Sequence, residues 1–514
     1  MCMVMKLYDL IQSVINIYKS KSVRTDRRKS VPFGKSLNDN ISYVKRSFDP
    51  CADLVIHEMK LTGINAAVFL IDNMINKSVL SLGILEPLYK FTYKGTPEQC
   101  INDIRSRVIY LDDIAEITTF DELTDMIMSG FAVIAVDGCD RMIAAGIQGF
   151  SSRSISEPES DVIQRGAKEG FVEPLHTNLS MIRRRMKNPH LCSEIIKVGT
   201  LSRTEVCICY LSDIASPTIV SRLKQRLHEV TLETVLASGY LVPFIEDKGD
   251  ISPFCTVGIT ERPDTVCGKL TEGRIAVLID GVPDALIVPH LFAEYFQTLD
   301  DYSNRPYFAV FTRWLKLAAF FISMLLPGIF VALGTFDPEM FPTLMLNKIA
   351  GSIGATPLSL MAETVLIQLV YEVMRESGLR MPQPLGYAVS IVGGLVIGDT
   401  AVNAGLIGAP TLMVAAAAAI CSYIIPNLYA PAAMLRLTFT FIGGIFGIGG
   451  VSLLFCLVFI NLCSKTSFGI PFTSPITPFG TAAARDVFIR AGWKTLSDKI
   501  QKVQNMPGAD ISGG

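Results

Sequence analysis

Polar and apolar positions trade places every few residues until about residue 313. Beyond it charge nearly disappears, and apolar runs long enough to cross a bilayer follow one another as far as Cys463. Crossing the hydrocarbon takes about 20 mostly apolar helical residues, because no water there can satisfy free backbone groups. Residues 314–333 meet that requirement. So do residues 387–406, interrupted by Asp399 and Asn403, and residues 410–428 with their alanine run. Residues 435–463 are too many for one straight crossing, since at about 1.5 Å per residue they would reach roughly 44 Å. Gly443, Gly444, Gly447, Gly449 and Gly450 are expected to kink or break that run. Residues 357–374 are apolar but carry Glu363 and Glu372, so they either span or lie in the interface.

Ahead of this half the periods are those of an α/β region. Residues 66–71 read as a buried strand, 77–88 and 121–129 as helices, and 131–136 and 142–147 as strands around Asp137 and Gly138. An Asp-Gly pair between apolar runs predicts a hairpin, because a type I′ turn needs positive φ at both central residues. The same order returns at 266–270, Gly273, 275–279, Asp280, Gly281 and 285–288, and both glycine and aspartate recur 143 residues later. Residues 66–72 and 206–213 form a second, looser match.

The predicted fold class is an α/β cytoplasmic region of two related subdomains followed by an all-α polytopic membrane domain. Its expected divisions are an N-terminal helix and basic linker (1–47), a first subdomain (48–150), a connector helix region (151–190) and a second subdomain (191–300). A membrane domain (301–480) of about four to six segments and a basic tail (481–514) complete the chain.

Composition agrees with this division. Half of the 514 residues are hydrophobic and only 18% are charged, too apolar for one soluble domain. Residues 314–514 carry 11 basic and 9 acidic groups, leaving 35 and 39 in the first 313, so no nucleic-acid partner is expected. Residues 1–18 have helical apolar spacing without the features of a signal peptide. The front half is therefore expected on the cytoplasmic side, with Arg305, Arg313 and Lys316 flanking the first apolar run as the positive-inside rule requires. The twelve cysteines include no CxxC pair and are expected to be reduced thiols.

Residues 171–187, FVEPLHTNLSMIRRRMK, are expected to connect the two α/β copies through a helix. Glu173, Asn178, Arg183, Arg184 and Arg185 there are candidates for contact with a neighbouring subunit, with phosphate as the alternative partner of the three arginines. At this point the sequence resembles the A subunits of bacterial spore-germination nutrient receptors, the GerA type. Four stretches carry the resemblance: EGFVEPLHTNLSMIRRRMKNP at 169–189, GRIAVLIDGVPDALIVPHLFAEYFQTLDDYSNRPYFAVFTRWLK at 273–316, YEVMRESGLRMPQPLGYAVSIVGGLVIG at 371–398 and GIPFTSPITPF at 469–479. The resemblance implies a cytoplasmic half of two related subdomains and a membrane half that assembles as a homopentamer around an ion-conducting pore. It also implies a transporter-like B subunit that recognises the nutrient, a lipoprotein C subunit, and the inner membrane of the spore. Signal amplifiers that lack a full receptor set look similar.

The five histidines lie far apart without a metalloprotease, hydrolase or phosphate-loop context, so no enzyme, cofactor or metal site is expected. The polar residues of the apolar half are more informative, because a carboxylate at the bilayer centre costs about 2.5–3.5 kcal/mol unless it faces protein or water. On a helix, Val392, Val396, Asp399 and Asn403 share one face. That stripe is the candidate pore lining, with Glu363 as a second candidate. Glu376 and Arg380 are expected to pair along one helix. Pro471, Pro475 and Pro478 break any helix near residues 468–479, so a re-entrant or interfacial loop beside the membrane lipid is expected there, tolerated only where protein buries it. The leading reading is a channel-forming A subunit that releases ions on nutrient sensing by its partners. A non-conducting relay or amplifier subunit and a secondary transporter are the alternatives.

Overall fold

The computed structural model describes residues 31–511 apart from 50–52, 62, 94, 112, 150–157, 159, 160, 162, 164, 248–251, 382–397, 481, 482 and 497–501. The expected N-terminal helix, most of its basic linker, Val392 and Val396 lie outside the described residues.

Two five-stranded antiparallel sheets organise the front half. The first holds β1 (Leu54–Leu61), β2 (Ile64–Ile71), β3 (Ile114–Ile117), β4 (Phe131–Val136) and β5 (Met142–Gly146), laid side by side as β1-β2-β4-β5-β3. The second holds β6 (Leu191–Val198), β7 (Thr204–Leu211), β8 (Gly258–Thr260), β9 (Ile275–Ile279) and β10 (Ala285–Val288), laid as β6-β7-β9-β10-β8. Replacing each strand by its successor in the second set gives the same order. The central strands β4 and β9 are buried along their whole length, so they are continuous apolar runs rather than alternating ones.

The repeat begins earlier than the strands. Helix α1 (Leu37–Ser47) covers one face of the first sheet with Leu37, Ile41 and Val44. Helix α2 (Leu175–Arg185) covers the matching face of the second with Leu175, Leu179 and Ile182. The residues expected to form a connector therefore open the second unit. Both helices are fastened alike: Asn40 bonds both backbone groups of Gly34, and Asn178 both backbone groups of Val172.

The aspartates of the two Asp-Gly pairs serve this same joint. Leu37 N donates to Asp137 Oδ1 at 3.0 Å, and Leu175 N donates to Asp280 Oδ1 at 3.0 Å. Each carboxylate thus caps the first turn of its helix, where backbone N–H groups have no partner within the helix. Only the glycines, Gly138 at φ 88° and Gly281 at φ 82°, adopt positive φ. The expected type I′ turns are absent, because each aspartate is held by the helix it caps.

In the second half, two helical stretches among the described residues are long and apolar enough to cross a membrane, Pro306–Phe336 and Pro426–Ser464. Helix α3 (Pro306–Phe336) leaves the second α/β unit, followed by α4 (Leu360–Arg380), α5 (Ala409–Ser422) and α6 (Tyr429–Ser464). The backbone of α6 breaks at Gly447, whose φ of 63° and ψ of −156° no helix contains. The chain reverses there: a Cβ on Gly450 would stand 2.9 Å from Ile442 Cγ2, eight residues back. Helix α6 is thus a hairpin of two legs, each about 26 Å long, and the break falls on one of the glycines expected to supply it.

The chain after α6 returns to the α/β half. Lys465 Nζ donates to Phe254 O at 2.6 Å, and Phe468, Ile470 and Val503 are buried in the core of the second unit. The segment that carries Pro471, Pro475 and Pro478 therefore starts from the core of the second unit. Phe472 between them is fully buried and its carbonyl accepts Phe292 N at 2.8 Å, and it shares a cluster with Phe320 and Met324 of α3, so this proline-broken segment is covered by protein where the two halves meet. Burying Phe468 and Ile470 contributes about 1.5–3 kcal/mol each.

Candidate functional site in the helical half

Close backbone approach sets the geometry of the bundle. Gly328 of α3 lies so near α6 that a Cβ would stand 2.7 Å from Phe439 O, and one on Gly443 would meet the Gly328 carbonyl at 2.4 Å. Small residues at a helix crossing let backbones approach in this way.

Helix α4 lies beside the first leg of α6 and runs the opposite way, with Met361 at Gly444, Gln368 at Thr440 and Glu372 at Arg436. Its inward face carries polar groups that bond within the chain, although Gln368 Oε1 and Arg436 Nε are buried without a partner among the described residues. Gln368 Nε2 donates to Thr440 Oγ1 at 3.0 Å, and Thr440 Oγ1 donates to Arg436 O at 2.8 Å. Arg436 Nη2 donates to Glu372 Oε1, while Tyr429 OH donates to Glu372 Oε2 at 2.7 Å. Arg375 stacks on the Tyr429 ring at 3.9 Å and reaches Glu372 at 3.4 Å. A buried guanidinium needs such partners, because removing one charge of a buried pair costs about 3–5 kcal/mol.

The candidate residues separate into two groups. Glu363 is buried and accepts Gly408 N. It lies between α4 and the start of α5, away from any open surface. Asp399 and Asn403 sit four residues apart on the Gly398–Asn403 helix, and both are exposed in the single chain. The structure does not bring Glu363 to their face. Arg380 bonds Glu376 at 2.7 Å along one helix, as expected. The Glu372–Arg436 pair was missed, although Arg436 is the one basic residue between Arg380 and Lys465 and had only the acids of this half as partners.

The candidates in α2 face inward. Asn178 and Arg183 are buried, and Arg183 holds Asp53 of the first unit with two bonds of 2.8 Å. Arg184 and Arg185 share Glu169. The expectation that these residues reach a neighbouring subunit fails for Asn178 and Arg183, since position 183 lies on the same helical face as Leu175 and Leu179. Glu173 is exposed, and its backbone carbonyl accepts Gly281 N at 2.8 Å.

Where the two halves meet, charges are again paired inside. Arg313 Nε donates to Asp301 Oδ2 at 2.8 Å and Nη1 to Asp486 Oδ1 at 3.0 Å, so α3 is fastened to both the second unit and the tail. Below it Glu294 bonds Lys269 and lies 2.8 Å from Arg274, and His290 Nδ1 lies 3.4 Å from Glu294. Burial raises the Glu294 carboxyl, but Arg274 and Lys269 outweigh it and hold the group down at about 2. Burial, with Arg274 and Lys269, pushes the His290 imidazole down to about 4 against the pull of Glu294. His290 is therefore neutral near pH 7 and Glu294 charged. Among the described residues no cluster of ligands suits a metal ion.

Residues 42–501 match the family described as "Bacillus/Clostridium GerA spore germination protein". The chain is 35% identical to "Spore germination protein KA" of Bacillus subtilis (strain 168), over 91% of this chain and 87% of that protein. It is 31% identical to "Spore germination protein GerLA" of Bacillus cereus, over 88% and 92%. "Stage V sporulation protein AF" of Bacillus subtilis (strain 168) is 26% identical over 77% and 80%. The crystal structure of the N-terminal domain of the A subunit of the Bacillus megaterium spore germinant receptor GerK3 is 29% identical, with a TM-score of 0.39, and covers 52% of this chain and 99% of that one. The chain belongs to the GerA family of spore germination proteins.

Proposed function

We propose that this chain is the A subunit of a germinant receptor, and that its helical half crosses the spore's inner membrane several times and lines an ion path built by several copies. The names of its relatives, spore germination proteins KA and GerLA among them, support the germination role. The α/β half lies on the cytoplasmic side. Both ends of the bundle support a single side for it, since Arg313 near the start of α3 bonds Asp301, and Lys465, the residue after α6, bonds Phe254, both on the side of the second unit. An even number of crossings follows. A transporter-like B subunit and a lipoprotein C subunit work beside it and govern when the path opens, and the copies form a closed ring, a pentamer by family resemblance.

One observation carries the conducting role. Asp399 and Asn403 are exposed side by side in the single chain, while Gln368, Glu372 and Arg436 bond within the bundle. A carboxylate left uncovered at membrane depth costs about 2.5–3.5 kcal/mol, so it faces a watery path or another copy. Val392 and Val396 continue the stripe by spacing and form the apolar constriction. The same closed polar core favours a second reading, in which the subunit relays occupancy of its partners and conducts nothing.

Reconstitution of the purified chain into nanodiscs and planar bilayers separates the two. A closed ring by mass photometry, with current whose cation preference falls in Asp399→Asn, is expected. A single chain, or a ring without current, leaves the relay.

A further inference from the structure

The chain has only two tryptophans, and both sit where the α/β half meets the helices. Trp314 follows Arg313 on α3 and Trp493 follows Arg490 in the tail, and they are 52% and 61% exposed. Tyr307, Phe308 and Phe311 lie on the same side of the first turns of α3, all exposed, and Phe488 stacks on Trp314 with ring centroids 5.3 Å apart. Exposed Ile489 stands between Phe488 and Arg490.

These apolar rings are not loosely attached. Beneath them the tail is clamped by buried charges: Arg313 on Asp486, and Arg490 donating to the carbonyls of Tyr302 at 3.2 Å and Asn304 at 3.3 Å. The Arg490 guanidinium also lies 5.2 Å from the Trp493 ring centre. The fold thus turns the arginines inward and the aromatics outward, the reverse of a surface made for water. Helix α3, at about 46 Å, is longer than the hydrocarbon is thick, and Arg313, bonded to Asp301 and Asp486, marks its first turns as the part that stands outside the apolar core. Aromatic rings with one polar edge concentrate at that level of a bilayer, and exposed Arg305 and Arg485 flank them in sequence, as cations do beside lipid phosphate.

We propose that residues 307–314 of α3 and 488–493 of the tail form one collar seated in the headgroup layer of the membrane, so that the tail is a second, non-spanning attachment to lipid. The collar is continuous with the apolar surface of α3, which selects lipid over a protein partner. It rests on the membrane reading above and adds to it that the tail, which packs on the α/β half, also touches the bilayer.

The two tryptophans make the test direct. The full chain and its single-tryptophan variants Trp314→Phe and Trp493→Phe are reconstituted in vesicles whose lipids carry bromine either near the glycerol or near the methyl end of the acyl chains. Emission from both variants should fall about twofold more with shallow bromine than with deep bromine, as for interfacial rings. Should a variant not fold, the unaltered chain, with both rings reporting together, should show the same preference. Quenching of Trp314 by lipid while Trp493 answers only to acrylamide in the water overturns the collar and leaves the membrane reading intact. Stronger quenching by deep bromine at either ring overturns the collar too. No quenching of either ring by any brominated lipid overturns both.

Discussion

Arg183 and Asp53 face each other through two parallel bonds of 2.8 Å, each side chain almost wholly buried, and Ser193 Oγ adds a third bond to Asp53 at 3.1 Å. Asp53 stands at the start of the first sheet, whereas Arg183 and Ser193 belong to the second unit. The pair is therefore the polar joint between the two α/β copies. Asp53→Ala leaves the guanidinium uncompensated and should cost about 3–5 kcal/mol. The double variant Asp53→Leu with Arg183→Met, which removes both charges, should recover much of that loss. Thermal unfolding of the detergent-solubilised chain checks both, and equal loss in the two would show that charge pairing is not what the joint supplies.

The reversal at Gly447 makes a geometric prediction. In a continuous helix positions 442 and 450 would lie about 12 Å apart. In the hairpin they touch. Cysteines placed by Ile442→Cys and Gly450→Cys should cross-link readily under mild oxidation in membranes. A pair that stays reduced while remaining accessible would mean the legs are one straight rod.

Acid should loosen the second unit in two steps. Folded His290 takes up its proton only near pH 4, whereas an unfolded histidine does so near 6.5. The unfolded state binds more protons between those values, so the stability His290 supports is complete above about 6.5 and is lost as pH falls toward 4. Glu294, held at about 2 against an ordinary 4.5, adds stability that is lost as pH falls from 4.5 toward 2. In His290→Gln the first step should vanish and the second remain. Melting temperatures between pH 7 and pH 3 measure this, and an unchanged profile in the variant would assign the first step elsewhere.

The return of the chain after α6 predicts a cost on the α/β side. Phe468 and Ile470 complete the second core from far along the sequence. Phe468→Ala should destabilise the chain by about 3–5 kcal/mol and expose the tail to limited proteolysis near residue 480. Protection equal to that of the unaltered chain would place the segment elsewhere.

The strand halves of the repeat were legible because Gly130 and Gly273, and Asp137 and Asp280, keep a spacing of 143 residues in apolar surroundings. The helices were not, because Asn40 and Asn178 are only 138 apart: the second unit has five more residues between that asparagine and its Asp-Gly pair, all of them after its first strand. One of the two helices also sits just behind a basic run that reads as linker. The break in α6 was visible from its glycines and its length. What the sequence could not show was which charges meet, since Asp53 with Arg183 and Glu372 with Arg436 are joined by tertiary packing alone. The cover of the proline segment was hidden for a related reason. Its prolines exclude a helix but do not say which surface covers them.

Ion selectivity is the most direct check on the proposal that Asp399 faces a shared wet path. Reversal potentials are recorded across bilayers holding the purified chain under a salt gradient, first unaltered and then as Asp399→Lys. A cation preference that reverses toward anions in the variant is the predicted result. Current of identical selectivity in both would contradict it, because a charge inverted beside the path cannot leave the passing ions unaffected.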